Sequence, residues 1–163
     1  MNYNISIKPD VVEIEVIKST LIKEIKISDT NLLHQIEMAF SELVENAVKY
    51  SDKSLDKNIE ISIEYNDHIK ISVSNYVSRK SHINNLINII EKIKSVNKND
   101  NLYLKRIKEI IDRKSHGKSQ MGLYRIFYEG DFELDYSFDN SIKKLSITAK
   151  KNSHPHNSHT RIQ

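Results

Sequence analysis

Phe40-Ser41-Glu42-Leu43-Val44-Glu45-Asn46-Ala47-Val48-Lys49-Tyr50-Ser51 is the stretch from which the fold can be worked outward. Ile36, Phe40, Leu43, Ala47 and Tyr50 recur at steps of three and four, the spacing that gathers apolar side chains on one face of a helix. Glu42, Asn46 and Lys49 follow the same spacing beside that stripe, so a carboxylate, an amide and an ammonium line one helical edge. Asn is a poor residue for a helix interior because its side chain competes for backbone hydrogen bonds. Its place here points to a use for the amide. Ser28-Asp29-Thr30 supplies the helix-start chemistry upstream, giving a helix to about Tyr50.

The elements on either side alternate in type. Asn4 to Lys8 reads as a short edge strand carrying Ile5 and Ile7, and Pro9-Asp10 opens a helix with Ile14, Ile17, Leu21 and Ile25 on one face. After the long helix, Ile59, Ile61, Ile63 and Tyr65 alternate, Asn66-Asp67 turns the chain, and Ile69, Ile71 and Val73 alternate again, which is a β-hairpin. Residues 76–120 carry no strand pattern; two amphipathic helices are expected there, over about 81–94 and 100–113, followed by a polar loop over Ser115–Gln120. Met121 to Glu129 reads as a short helix stopped at Gly130-Asp131. Phe132, Leu134, Tyr136 and Phe138 form a strand, Asp139-Asn140-Ser141 a turn, and Ile142, Leu145 and Ile147 the last strand, its phase slipping across Lys143-Lys144 as a bulge would make it.

Hairpins separated by blocks of helix define an α+β protein, a two-layer α/β sandwich with a mixed, mostly antiparallel sheet and helices on one face. One domain is expected over residues 1–150, with a helical insertion at about 76–120. Residues 151–163, rich in Ser, His and Asn, are expected to be a disordered tail. The chain contains no Cys, which excludes disulfides and thiolate metal sites, and its net charge of +3 comes from interspersed signs, which argues against nucleic acid as a partner. No apolar run is long enough for a membrane span or a signal peptide, so a cytoplasmic, non-membrane protein is expected. His154, His156 and His159 lie close together in the tail, but scattered His on a flexible segment is not a fixed metal site.

The stretch from Glu42 to Ser51 resembles the N-box of the histidine-kinase-like (GHKL) ATPase superfamily, nearest to the stand-alone bacterial anti-sigma and serine-kinase-type regulators. The resemblance implies a Bergerat-like sandwich, ATP and Mg²⁺ as cofactors, and a helical lid over the nucleotide. It also implies roles for particular residues. Asn46 would ligate Mg²⁺, Glu42 would be the general base, and Lys49 would contact phosphate. Asn75, in Val73-Ser74-Asn75-Tyr76-Val77-Ser78, stands where the family's adenine-reading Asp is found, without the glycines that follow it there. Of the family's last Gly-rich box only Gly122-Leu123 remains, in Lys118-Ser119-Gln120-Met121-Gly122-Leu123, where open helix N-terminal amides would meet phosphate, with Lys118 and Ser119 as supplements.

By this resemblance the chain is a signal-transduction regulator that phosphorylates a small regulatory protein, antagonist or sigma-factor-like, on Ser or Thr; a homodimer is also compatible. Two alternatives stand beside it: a non-catalytic protein-binding module on the same fold, and the detached ATP-binding half of a two-component histidine kinase. Arg125 is placed by its spacing to pair with Glu129 one turn on.

Overall fold

The computed structural model describes residues 2–10, 14–96, 105 and 118–153. Strands β1 (Asn2–Ile7), β2 (Ile59–Tyr65), β3 (His68–Tyr76), β4 (Glu133–Asp139) and β5 (Lys144–Asn152) form one sheet in the order β1-β2-β3-β5-β4. Every pairing is antiparallel, so the sheet is not mixed. That outcome follows from connectivity: β2–β3 and β4–β5 are tight hairpins, and the two hairpins join edge to edge with β3 beside β5.

Register puts the apolar residues of all the strands on one face. Ile5, Ile61, Val73, Ile147 and Tyr136 form one row across the sheet, and Tyr3, Ile63, Ile71, Ala149 and Leu134 the next. The opposite face is polar by the same period of two, with Ser62, Ser72, Thr148 and Asp135 in one row. Ser72 and Thr148 hydroxyls share a hydrogen bond of 2.9 Å there, and Ser74 and Ser146 share one of 2.6 Å.

The helical layer is built on α2 (Thr30–Tyr50), which follows α1 (Ile14–Glu24) and precedes α3 (Lys80–Lys94) and α4 (Lys118–Tyr128). Asp29 caps α2 by accepting from the backbone N–H groups of Asn31 at 2.9 Å and Leu32 at 3.1 Å. Its buried stripe is broader than the repeat that revealed it, because Leu32, Ala39, Val44 and Val48 join Ile36, Phe40, Leu43 and Ala47. α2 is in contact with α1, α4, β2 and β3, so it is the helix around which the core closes. α3 buries Ile83, Leu86, Ile89, Ile90 and Ile93, and packs on β4 and α4 as part of the core layer. Apart from Lys105, the second helix expected in the insertion lies outside the described residues, as do the tail from residue 154 and its histidines.

Three details differ from the sequence reading. Helix α4 already includes Lys118 to Gln120, which therefore do not belong to a loop. Ile142 is in the turn, 52% exposed, and the phase slip beside it is resolved by Lys143, whose φ of 59° ends a turn from which β5 starts at Lys144. β5 runs on to Asn152, opposite His68.

The stop after α4 is also built differently. The left-handed residue is Asp131, with φ of 55°, and not Gly130. Gly130 is required by space. A Cβ there would lie 2.6 Å from the Ile126 carbonyl oxygen, 2.8 Å from Phe132 Cδ2 and 3.0 Å from Met38 Cε. Gly130→Ala should therefore lower stability by about 1–3 kcal/mol, as an overpacking substitution against backbone does, measured as a shift of the urea midpoint.

Candidate functional site

Asn46 sits at the middle of the site, on α2, and is 4% exposed. Its Nδ2 is buried and has no hydrogen-bond partner among the described residues. Buried amide groups are nearly always satisfied, and leaving one unpaired costs about 1–3 kcal/mol. The residue lines a cleft of about 890 Å³ together with Glu42, Glu45, Lys49, Lys53, Met121, Arg125, Ile14 and Glu15. Helix α2 supplies the floor; α1 and α4 supply the walls. The helical spacing of Glu42, Asn46 and Lys49 brings all three to this one cavity, as expected.

Glu42 is held more firmly than a solvated helix-edge carboxylate. Its side chain is 16% exposed, and its Oε1 accepts from Arg125 Nη1 at 2.6 Å. Burial raises its proton affinity above the ordinary carboxylate value; the Arg125 charge opposes that, and Glu45 reinforces it. A carboxyl whose affinity for the proton is greater folded than unfolded makes the fold more stable as pH falls through its titration range. It is also nearer the range in which a general base works. Arg125 pairs with Glu129 as well, Nε to Oε2 at 3.2 Å, so the local pair read from sequence is present and a non-local one is added to it.

The remaining expected site residues are distributed differently. Lys49 lies at the mouth of the cleft, its ammonium 5.4 Å from the Tyr50 ring centroid. Gly122 lies inside α4, past its first described turn, and faces Glu42: a Cβ on it would lie against Glu42 Oε2. Leu123 is fully buried and belongs to the core. Asn75 lies on β3, 4% exposed, and lines neither this cleft nor the adjoining one. Its Nδ2 donates to the Ala47 carbonyl at 3.1 Å and to Ser51 Oγ at 3.3 Å. Ser51 also closes on Ala47, through its N–H at 3.0 Å and its hydroxyl at 2.6 Å. Asn75 thus pins the C-terminal turn of α2 to the sheet, a role that nothing in its local sequence announces.

A second cleft, of about 400 Å³, adjoins the first across Lys49 and Lys53 and is lined besides by Tyr50, Ser51, Asp52, Ser78, Arg79 and His82. The Tyr50 and His82 rings meet edge-on there, 4.9 Å apart. Hydrogen bonds from Ser54 and Ser78 hold the Asp52 carboxyl below its usual range. A further cleft of about 830 Å³ opens over β4 and includes none of the expected site residues.

Among the described residues no three His, Asp or Glu side chains are placed to hold a metal ion. Any hard cation in the α2–α4 cleft would therefore take most of its oxygens from its ligand and from water. Asn46 fits that arrangement. A side-chain amide offers a neutral oxygen acceptor beside its N–H donors, which suits either a cation or an anionic oxygen.

Fold and site together describe an α+β sandwich with a charged cleft cut into its helical layer. A chain of the solved SiaB-SiaC complex from Pseudomonas aeruginosa has this fold: the match covers 92% of this chain and 88% of that one, with a TM-score of 0.67 and 18% identity. No family model and no curated protein matches the sequence. Among the described residues no helix is long and apolar enough to cross a membrane.

Proposed function

We propose that this chain is a regulatory protein that binds ATP with Mg²⁺ in the α2–α4 cleft and phosphorylates a small protein partner on Ser or Thr. The observation that carries the reading is Asn46: a buried amide whose Nδ2 has no partner among the described residues, lining a cleft whose other charged groups are Glu15, Glu42, Glu45, Lys49, Lys53 and Arg125. The cations suit polyphosphate, and a neutral amide is a suitable single protein ligand for Mg²⁺ that otherwise relies on phosphate and water. Glu42, with its raised proton affinity, would accept the proton of a partner's hydroxyl. The adjoining cleft continues past Lys49 and Lys53 and offers room for the rest of the nucleotide. A protein partner is supported by the likeness to a chain from a two-protein complex.

Calorimetric titration of ATP into the protein with Mg²⁺ should show saturable heat that is lost on chelation. No heat and no thermal shift at millimolar ATP would sink the reading. A second reading, a protein-binding module without nucleotide, is favoured by Asn75, whose amide N–H is already committed within the fold. The two separate in one experiment, because the module reading requires partner capture to be indifferent to ATP.

A further inference from the structure

We propose that Gly122 and Arg125 form a seat on α4 for the Glu42 carboxylate, which makes both of them positioning residues. The inference deepens the nucleotide reading, on which the use of Glu42 rests, but the seat is a property of the ligand-free chain. Two observations from different chemistry meet here. One oxygen of Glu42 is held by charge, Oε1 accepting from Arg125 Nη1 at 2.6 Å. The other is held by absence of volume, since a Cβ on Gly122 would occupy the place of Oε2 and would also lie 3.1 Å from Glu42 Cδ.

Glycine is not needed at 122 for its backbone. None of the described glycines has a positive φ, and in a helix interior Gly is less favourable than Ala. Its use there is spatial. Three residues on, less than one turn, Arg125 lies on the same side of α4, and its Nε is fixed by Glu129. Glu129 therefore holds the guanidinium while the guanidinium holds Glu42. The seat keeps the carboxylate turned to α4, at the wall of the cleft, where it faces Glu45 on its own helix, Arg125 and Glu129 on α4, and shares the cavity with Lys49, Lys53 and Glu15.

Carbon-13 NMR of the Glu42 side-chain carboxyl, titrated with pH in the full chain without nucleotide and assigned through Glu42→Gln, tests this directly. Arg125→Gln removes the cation but leaves the burial, so the Glu42 midpoint should move upward. Gly122→Ala pushes the carboxylate off α4 into solvent, so the midpoint should move down toward the ordinary carboxylate value. The clash in that variant is with the end of a flexible side chain, so the thermal midpoint should hold or rise. Opposite shifts support the seat; unmoved midpoints, or shifts of one sign, overturn it. If Gly122→Ala does not fold, Arg125→Gln decides alone, with Arg125→Lys expected to return the midpoint toward the wild-type value. Titrating ATP and Mg²⁺ into the wild-type chain separates the two ideas. Opposite shifts without ATP binding leave the seat standing and remove the nucleotide reading; ATP binding with unmoved midpoints does the reverse.

Discussion

Asn46→Ala should weaken Mg²⁺-dependent ATP binding while leaving the stability of the fold nearly unchanged. The wild-type chain already bears the desolvation of a buried Nδ2 with no partner among the described residues, about 1–3 kcal/mol. Alanine removes that cost and loses a comparable amount of packing, so the urea midpoint should shift by no more than the equivalent of about 1 kcal/mol. Affinity should fall at least about tenfold, or about 1.4 kcal/mol, because among the described residues no other neutral side-chain amide or hydroxyl lines the cleft. Asn46→Asp separates the two uses of the amide. A carboxylate retains a cation ligand but repels phosphate, so partial retention of Mg²⁺-ATP identifies a metal contact and complete loss a phosphate contact. If Asn46→Ala leaves calorimetric affinity unchanged, Asn46 has no part in binding.

Asn75→Asp should destabilise the protein by about 3–5 kcal/mol at neutral pH, the cost expected of an uncompensated buried charge. The amide N–H now directed at the Ala47 carbonyl and Ser51 Oγ would be replaced by a second acceptor facing a carbonyl oxygen. Burial and that oxygen both disfavour the ionised form, so the new carboxyl should titrate above its unfolded value. The penalty is then absent below the unfolded carboxylate range, grows as pH rises through it, and levels off above the folded midpoint. Denaturant melts at pH 4 and pH 7 would reveal that slope. The substitution also bears on the resemblance, in which an acidic residue at this position reads adenine. An Asp that improved ATP affinity without cost to stability would show that position 75 serves a ligand and does not pin the helix.

How much of this was legible beforehand depends on the range of the interaction. The α2 stripe, both hairpins and α3 were readable because a period of 3.6 or 2.0 is written along neighbouring residues. The clustering of Glu42, Asn46 and Lys49 was readable for the same reason. The Arg125–Glu129 pair was legible as an i, i+4 contact, whereas the Arg125–Glu42 pair spans 83 residues and was not. Gly122 reads as the remnant of a phosphate loop, but its position inside α4 gives it a different neighbour. The bond from Asn75 to the Ala47 carbonyl is not legible in the sequence, because only the assembled sheet brings the end of α2 against it.

The chain by itself determined the α+β class, the order of its elements and the helix edge that carries Glu42, Asn46 and Lys49, since each of these follows from spacing within one segment. Tertiary structure alone decided that every strand pair is antiparallel and that Asn75 is tied to the end of α2. It also decided that Asn46 Nδ2 has no partner among the described residues and that Glu42 lies against Gly122 and Arg125. The reason is that burial and non-local pairing arise only when α2, α4 and the sheet close on one another. Those two terms fix the state of the Glu42 carboxylate and the Asn46 amide.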